Sequence, residues 1–390
     1  MTRFPLGLDV EGALDDEVER AQGCRDRLLM NQHETSNARV PAWDRTPTDL
    51  RALGYERDPR HLFGRLQRVA TWDAEGPVLA RKGRALVDRA LRLDLPTIVE
   101  ERASTDGSTR VVLRLEDGAR IEAVHMPRAV VRPRVTVCLS SQVGCAMGCT
   151  FCATARMGLV RNLAAHEIVG QLLAVMHRYG PRGAQQYNLV FMGMGEPLHN
   201  VDALVRALDV LCDPAGLAIA PTRITVSTAG HVPGLERLAR ARYIPELAVS
   251  VNGATDDVRR SLMPIGKKWP LAELRAALTR WPRRPHQKIT LEYVLLAGIN
   301  DDDRSADRLA EWTGDVKHVL NVIPFNDWGT TSSPYREPSA QRVDAFVARL
   351  RSRGCLVKVR RSRGRDARAA CGTLAVSEDA SLDEGRLAEA

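Results

Sequence analysis

The sequence lacks several features that would place it outside the ordinary globular classes. It has no run of about 18 uncharged apolar residues, the length that a membrane-spanning helix needs. Its opening stretch, MTRFPLGLDVEGALDDEVER, turns acidic where a signal peptide would need an apolar core. Its 8 cysteines in 390 residues are too sparse for a disulfide scaffold, and internal repeats and low-complexity segments are absent. We therefore expect a cytoplasmic protein without membrane attachment, whose thiols stay reduced.

Four of those cysteines nevertheless lie within CLSSQVGCAMGCTFCATARMG, residues 138–158. Cys145, Cys149 and Cys152 follow a C-x3-C-x2-C spacing, and Cys138 lies 7 residues upstream of Cys145. In a reducing compartment such a cluster points to metal or redox chemistry. A structural zinc usually takes four protein ligands in two pairs, whereas this stretch offers three thiols and no fourth Cys or His at the usual distance. Three thiolates would instead hold a 4Fe–4S cluster with one iron left open, with a zinc loop or unrelated thiols as the alternatives.

The middle of the chain alternates between short β-rich runs and helical patterns. The β-rich runs span residues 135–140, 187–193, 223–230, 246–251, 289–296 and 318–325. Near-continuous apolar strands separated by helices predict a parallel α/β sheet. Six such units cover fewer residues than the roughly 250 of a full eight-stranded barrel, so we predict a partial (β/α)6 barrel. A doubly wound open sheet is the alternative, because strand order cannot be read from one sequence.

Three further regions flank this predicted barrel, which we assign to residues 131–330. Residues 1–95 are polar with helical spacing and predict an N-terminal helical accessory domain, a candidate for RNA binding. Residues 96–130 place the Asp-Gly turn signals TDGST and EDGAR between alternating runs, which predict a small antiparallel meander. Residues 331–390 form a C-terminal extension with a helical pattern, a short strand and an arginine-rich stretch that leads to Cys371.

The charge balance favours an anionic partner. The formal net charge is +8, and nucleic acid is the first candidate for a basic chain of this kind. Basic residues concentrate just before Cys371, at Lys358, Arg360, Arg361, Arg363, Arg365 and Arg368. From charge alone, phosphate contacts and a solvated basic surface are equal alternatives for this stretch, and the family resemblance given below favours phosphate contacts.

Polar residues follow the predicted strands at their carboxyl ends, where α/β folds carry their working sites. GMGEP, residues 193–197, has glycines that let a ligand approach the backbone, and Glu196 offers a carboxylate to an ammonium group. By itself this motif is better explained as the tight turn that follows a buried strand. Further polar positions at this edge are Ser227, Ser250 to Asn252, and Asn326. We expect all these segments to converge with the cysteine loop on one rim.

Together these motifs resemble the RlmN/Cfr family of radical S-adenosylmethionine (SAM) RNA methyltransferases. The similarity runs from about Pro96 to Leu374 and includes PTIVEE, CLSSQVGCAMGCTFCATARMGL, RNLAAHEI, FMGMGEPLHN, ITVSTAG, DDVRRSLMPIGKKWP, EYVLLAGIND, NVIPFN and DARAACGTLA. In radical SAM enzymes three cysteines at this spacing, with an aromatic residue such as Phe151 before the last, hold a 4Fe–4S cluster. The open iron of that cluster binds the amino and carboxylate groups of SAM.

The resemblance implies methylation of an adenine ring carbon. RlmN-type members act on C2 of an adenine in 23S rRNA, often with certain tRNAs as well, and Cfr-type members act on C8. Neither carbon is a nucleophile, so polar attack on the SAM methyl group is closed and radical chemistry is needed. The closer likeness is to the RlmN type. Such an enzyme takes electrons from a donor such as a flavodoxin or ferredoxin, and we expect it to be a monomer.

The resemblance also assigns roles to residues outside the cluster. Cys371 would accept a methyl group from one SAM, and a radical made from a second SAM would activate that methyl group for addition to adenine. Cys138 would then attack the sulfur of Cys371, release the product and leave a transient disulfide. Glu122 matches the family's proposed proton acceptor, an ordinary charged strand residue being the alternative. The positions that match SAM contacts are Gly195, Glu196, Ser227, Ser250, Val251, Asn252 and Asn326.

Some positions depart from the family pattern. The family has histidine where this chain has Asn252, and asparagine forms hydrogen bonds but does not titrate. It has glutamine at the position of Thr373. These departures touch SAM and substrate contacts and none of the five chemical cysteines. The alternatives from other classes are a radical SAM enzyme with a non-RNA substrate and an RNA-binding protein with structural zinc. The three other cysteines, Cys24, Cys212 and Cys355, are expected to be inert and buried.

Overall fold

The computed structural model describes residues 39–68, 72–73, 76–128, 134–180, 186–327 and 333–375. The chain divides into two compact units, Met1–Val40 and Pro41–Ala390. The first unit lies outside the described residues except at positions 39 and 40, so Cys24 is outside them too. All other described residues belong to the second unit.

The second unit is built on a 10-stranded sheet. Its strands are β1 (Thr97–Ala103), β2 (Thr109–Arg114), β3 (Arg120–Arg128), β4 (Arg134–Cys138), β5 (Gln186–Phe191), β6 (Ile224–Thr228), β7 (Glu246–Ser250), β8 (Ile289–Leu295), β9 (His318–Pro324) and β10 (Val357–Val359). Their order across the sheet follows their order along the chain from β1 to β10. Strands β1 to β4 pair antiparallel, whereas β4 to β10 pair parallel.

Helices precede the sheet and cross over between its parallel strands. They are α1 (Pro47–Ala52), α2 (Pro59–Gln67), α3 (Arg81–Ala90), α4 (Ala153–Arg156), α5 (Ala165–Tyr179), α6 (Val201–Leu211), α7 (Val232–Leu238), α8 (Asp256–Leu262), α9 (Leu271–Arg280), α10 (Asp303–Thr313) and α11 (Ala340–Ser352). Short 3-10 turns lie at Pro197–Asn200, Pro221–Arg223 and Pro264–Lys267. Short strand segments lie at Val40–Pro41, Trp72–Asp73, Gly76–Pro77, Leu91–Arg92, Gln142–Gly144 and Leu159–Asn162. Among the described residues, no helix is long and apolar enough to cross a membrane.

The strand order confirms the partial barrel. All six predicted β-rich runs form parallel strands, β4 to β9, and each follows its predecessor in space. A doubly wound sheet would reverse its strand order at a switch point, and this sheet does not. Helix α5, the crossover between β4 and β5, is buried without a break from Glu167 to Met176, and Leu172 and Leu173 are fully buried.

The meander continues the barrel sheet at its first strand. Strand β3 pairs with β4, and Val124 lies opposite Cys138. Glu122, two residues earlier on β3, is therefore one strand away from Cys138. This continuity joins two of the predicted site residues. The domain boundaries inferred from the sequence stay predictions, with α1 to α3 supplying the helical content expected before residue 95.

Candidate active site

A single cavity at the carboxyl ends of the parallel strands gathers most of the predicted site. It is lined by the three motif cysteines and Cys371, together with Gly195, Glu196, Ser227, Ser250, Asn252 and Asn326. Val251 is different, because its side chain is fully buried and its N–H donates to the carbonyl of Glu292 at 2.9 Å. Glu122 and Cys138 are buried, and they are not among the residues that line the cavity.

The cysteine loop is fixed by backbone bonds to its surroundings. The N–H of Cys145 donates to Gly158 at 2.7 Å, and that of Thr150 donates to Leu262 of α8 at 3.0 Å. A Cβ at Gly144, where φ is +75°, would lie 1.9 Å from the carbonyl oxygen of Gly158, so only glycine fits. Burial raises the pKa of Cys145 to about 12, and neighbouring Cys152 adds to the effect. The thiol of Cys145 is therefore neutral at pH 7 until a cation binds it.

The three thiols fit an iron–sulfur cluster better than a zinc ion. They line the cavity together with Cys371, and no His among the described residues lines it. In the part of the chain that the structure describes, no three His, Cys, Asp or Glu side chains are gathered as ligands of one ion. A structural zinc needs four ligands around a single ion, whereas in a cluster cysteine thiolates bind the irons around a larger core. Cys145, Cys149 and Cys152 are the residues that would hold it.

The GMGEP loop presents a carboxylate to the same cavity. At Gly195 φ is +101°, and a Cβ there would lie 2.6 Å from the Cβ of Gln142. The carboxylate of Glu196 accepts hydrogen bonds from the N–H groups of Leu198 at 3.0 Å and Ala229 at 2.7 Å. Its side chain is buried, and desolvation raises its pKa. A carboxylate has about four acceptor positions, so room is left for an ammonium group.

Asn252 lines the cavity, and its side-chain amide contacts other residues of the cavity wall. Its Oδ1 accepts from the N–H of Val294 at 2.8 Å, and its Nδ2 lies 3.2 Å from the sulfur of Met263. Its φ is +53°, a left-handed conformation that asparagine tolerates well. Asn252 therefore braces the cavity wall through these contacts.

Ser227 and Asn326 are tied to other residues of the site. The hydroxyl of Ser227 donates to a carboxylate oxygen of Glu292 at 3.1 Å. The amide of Asn326 donates to the hydroxyl of Ser362 at 2.9 Å and to the carbonyl of Cys371 at 3.2 Å. Asn326 thus links the rim of the barrel to the segment that carries Cys371.

Arg360 stands between the two catalytic cysteine candidates. Its Nη1 donates to a carboxylate oxygen of Glu292 at 3.4 Å and to the sulfur of Met192 at 3.5 Å, and its charge acts on Cys371. Burial raises the pKa of Cys371, and the charge of Arg360 opposes that rise. Burial also raises the pKa of Cys138 to about 12, with the nearby Cys371 as the second cause. One guanidinium therefore faces both thiols of the proposed pair.

Three arginines of the arginine-rich stretch do not fit the interpretation as phosphate contacts. Arg360 points inward, as described above. Arg363 donates to the backbone carbonyls of Asp106 at 2.6 Å and Pro127 at 3.1 Å. Arg365 forms an ion pair with Glu337 at 2.6 Å. These arginines anchor the segment that carries Cys371, because the protein's own acceptors occupy their donors.

Glu122 is a buried carboxyl with one ionic neighbour. Its side chain is 0% exposed, and Arg110 donates to its Oε1 at 3.3 Å. Arg110 is shared with Glu100, and Oε2 of Glu122 has no hydrogen-bond partner among the described residues. Desolvation raises the pKa of Glu122 to about 7, with Arg110 opposing the shift. A carboxyl that titrates near neutrality suits proton transfer.

Sequence reasoning missed Glu292, Arg360 as a site residue, and Arg259. Glu292 carried a readable signal, because it is the charged residue inside the apolar run ITLEYVLL. Arg360 and Arg259 had none, since each lies in a run of basic or charged residues where exposure is the usual outcome. Of the cysteines expected to be inert, Cys212 is buried with its pKa raised by desolvation to about 12, whereas Cys355 is only half-buried.

The chain is similar to several known proteins. Residues 139–310 match the family model of the radical SAM superfamily. The chain is 43% identical over 315 residues to a dual-specificity RNA methyltransferase RlmN from Syntrophobacter fumaroxidans, which covers 81% of this chain and 89% of that protein. It is 40% identical over 354 residues to the RlmN of Geobacter sulfurreducens, covering 87% and 95%. The crystal structure of a radical SAM methyltransferase from Sphaerobacter thermophilus superposes with a TM-score of 0.78 at 39% identity, covering 86% of this chain and 98% of that one.

Proposed function

The chain belongs to the RlmN family of radical SAM RNA methyltransferases, and from that premise we propose that it methylates C2 of an adenine through S-methylated Cys371. As a member of this family it is a SAM-dependent radical methyltransferase that uses a 4Fe–4S cluster and SAM. The observation that carries the proposal is that Cys371 lines the same cavity as Cys145, Cys149 and Cys152. A methyl group on its sulfur would therefore lie inside the chamber where the radical is made.

The cofactor positions follow from the cavity wall. Cys145, Cys149 and Cys152 would hold the cluster, and Glu196 would receive the ammonium group of SAM. The bound cluster and SAM supply a radical that removes a hydrogen atom from an otherwise unreactive methyl group. The residues proposed for SAM contact, beyond Glu196, are Gly195, Ser227, Ser250, Val251, Asn252 and Asn326. For Val251 the contact would come through backbone atoms, since its side chain is buried.

The chain's own residues carry the remaining steps. Arg360 favours the thiolate form of Cys371, which accepts the first methyl group. After the carbon adds to adenine, Glu122 accepts the proton lost from the ring carbon, and the unpaired electron left on the ring would go to the one-electron acceptor that the bound cluster would supply. Cys138 then attacks the sulfur of Cys371, so that an S–S bond forms and the S–C bond breaks. The electron pair of the broken bond stays on the new methyl carbon, which takes a proton.

The nature of the RNA is the finer part of the proposal. The curated relatives are named dual-specificity RNA methyltransferases, which supports RNA as the substrate. For this chain we propose 23S rRNA together with tRNA. Adenine held in folded RNA must leave its stack to reach an enclosed cavity. We also expect action as a monomer in the cytoplasm, with electrons from a flavodoxin or ferredoxin. Cfr-like methylation at C8 is the second candidate.

Mass spectrometry of nucleosides tests the target directly. RNA from a strain that lacks this gene should lose 2-methyladenosine and regain it when the gene is restored. Fractionation into 23S rRNA and tRNA before digestion assigns the substrates. Appearance of 8-methyladenosine in place of 2-methyladenosine would contradict the C2 assignment, and an unchanged nucleoside profile would contradict RNA methylation.

A further inference from the structure

Arg259 of α8 is a buried arginine whose hydrogen-bond donors are only partly paired. Its side chain is 0% exposed. Its Nη2 donates to the carbonyl of Ala229 at 2.6 Å, whereas Nε and Nη1 have no hydrogen-bond partner among the described residues. A buried donor left without an acceptor is costly, and a buried charge more so. Arg259 thus keeps a buried positive charge with two donor groups that no described residue accepts.

Three glycines make room for this side chain. A Cβ at Gly266 would lie 3.0 Å from Nη1 of Arg259, and one at Gly230 would lie 3.0 Å from Nη2. A Cβ at Gly253 would lie 2.5 Å from the backbone nitrogen of Arg259. The segment after β6 and the 3-10 turn after α8 therefore form a slot that closes around the guanidinium, and Gly253 after β7 lets the backbone of Arg259 approach closely.

The slot lies beside the cysteine loop. Thr150 of that loop donates from its N–H to Leu262 at 3.0 Å and from its hydroxyl to the same carbonyl at 3.3 Å, which ties the loop to α8. The charge of Arg259 acts on the thiol of Cys149. Asp256 also faces Arg259 electrostatically, from the first turn of the same helix. The neighbouring Arg260 instead points outward and pairs with Asp257.

We propose that Arg259 is the counter-charge of the iron–sulfur cluster, placed to stabilise its reduced form. A cluster held by three thiolates gains one negative charge on reduction, and nearby charge and hydrogen bonds set its potential. A buried cation whose charge reaches Cys149 favours the more negative state, and the low local dielectric strengthens the effect. The inference rests on the proposed assignment of Cys149 as a cluster ligand. It makes Arg259 a positioning residue, since it acts through Cys149 and the cluster.

An EPR-monitored redox titration of the holoenzyme, without SAM, tests the proposal. Arg259→Met should shift the reduction equilibrium at least tenfold toward the oxidised cluster, which is about 59 mV in midpoint potential for a one-electron couple. Arg259→Lys keeps the positive charge, so its midpoint potential should lie close to that of the parent enzyme. The matched control Arg260→Met should leave the midpoint potential unchanged. A midpoint for Arg259→Met equal to that of the control overturns the proposal. A shift seen only after SAM is added does so too, because it would assign Arg259 to the SAM carboxylate.

A second measurement separates this role from a packing role. In the cluster-free chain, Arg259→Met should melt at the same temperature as the parent or higher, because it removes a buried charge with unfilled donors. A lower melting temperature, or failure to fold, would show that Arg259 supports the fold by itself and would contradict the proposal. Cys149→Ala tests the assignment of Cys149 as a cluster ligand independently of the Arg259 variants. If that variant keeps its full iron content, the ligand assignment fails, whatever the Arg259 titration shows.

Discussion

Cys371 lies beside Cys138, close enough that charge on Cys371 raises the pKa of the Cys138 thiol. Cys138 ends the first parallel strand, and Cys371 comes from the C-terminal extension beyond the last one. Both are free thiols in the structure. Folding thus brings together the two thiols whose transient disulfide the proposed reaction needs, with Arg360 facing both.

Arg360→Gln should slow alkylation of Cys371 roughly tenfold at a fixed pH near 8, because each unit of thiol pKa changes the thiolate population tenfold. The guanidinium lowers the pKa of Cys371 against the effect of burial, so its removal lets that pKa rise. Iodoacetamide labelling of the cluster-free chain, read peptide by peptide in a mass spectrometer, measures the rate. Arg361→Gln, at the exposed neighbouring position, is the matched control. Equal rates in the two variants would remove Arg360 from this role.

Glu122→Gln should stabilise the cluster-free chain at pH 8 by on the order of 3 kcal/mol and much less at pH 5. The folded chain raises the pKa of Glu122 from 4.5 to about 7, so its contribution to stability falls as pH rises through that interval. Urea unfolding at both pH values gives the comparison. Glu101→Gln is the control, because the carboxylate of Glu101 has a lowered pKa. It should leave the difference in the free energy of unfolding between pH 5 and pH 8 equal to that of the parent chain. If the free energy of unfolding of the parent chain is the same at pH 5 and pH 8, the pKa of Glu122 is not raised and the prediction is wrong.

Asp366→Ala should loosen the segment around Cys371 without removing the cluster. Its carboxylate accepts from the hydroxyl of Ser104 and from the N–H of Thr105 at 2.9 Å, which pins the segment to the turn between β1 and β2. These bonds lower the pKa of Asp366 to about 2, so their stabilisation is present above pH 4 and fades as pH falls below it. We expect faster hydrogen exchange in peptides that contain Cys371, slower methylation and unchanged iron content.

Asp344→Ala, an exposed carboxylate on α11, is the control for that experiment. It should leave both hydrogen exchange and methylation at the parent rates. Loss of iron in Asp366→Ala would mean that the anchor supports the cysteine loop as well, against the prediction.

The barrel was predictable because its strands are apolar on both faces and its helices on one. Residues such as Leu291 in β8 and Leu172 in α5 follow directly from that periodicity. The rim was predictable too, since polar residues at strand ends meet at one edge of a parallel sheet. The roles of Cys371 and Cys138 came from family resemblance, because no local pattern relates two thiols so far apart along the chain.

Side-chain direction within irregular segments was beyond reach of the sequence. Arg360 and Arg361 are adjacent and chemically identical, yet the first faces Cys371 and the second is exposed. Which one turns inward depends on how β10 pairs with β9 and where the extension crosses the rim. Arg259 poses the same difficulty, because its burial depends on glycines at Gly230, Gly253 and Gly266 that lie in separate loops.

The most direct test of the two-cysteine account is the product of Cys138→Ala during turnover with its RNA substrate. Without the resolving thiol the S–C bond cannot break, so the RNA should stay covalently joined to Cys371 and be seen by mass spectrometry on that peptide. Cys212→Ala, which removes a buried thiol outside the site, should release methylated RNA normally. Free methylated RNA from Cys138→Ala, with no adduct on Cys371, would contradict the account.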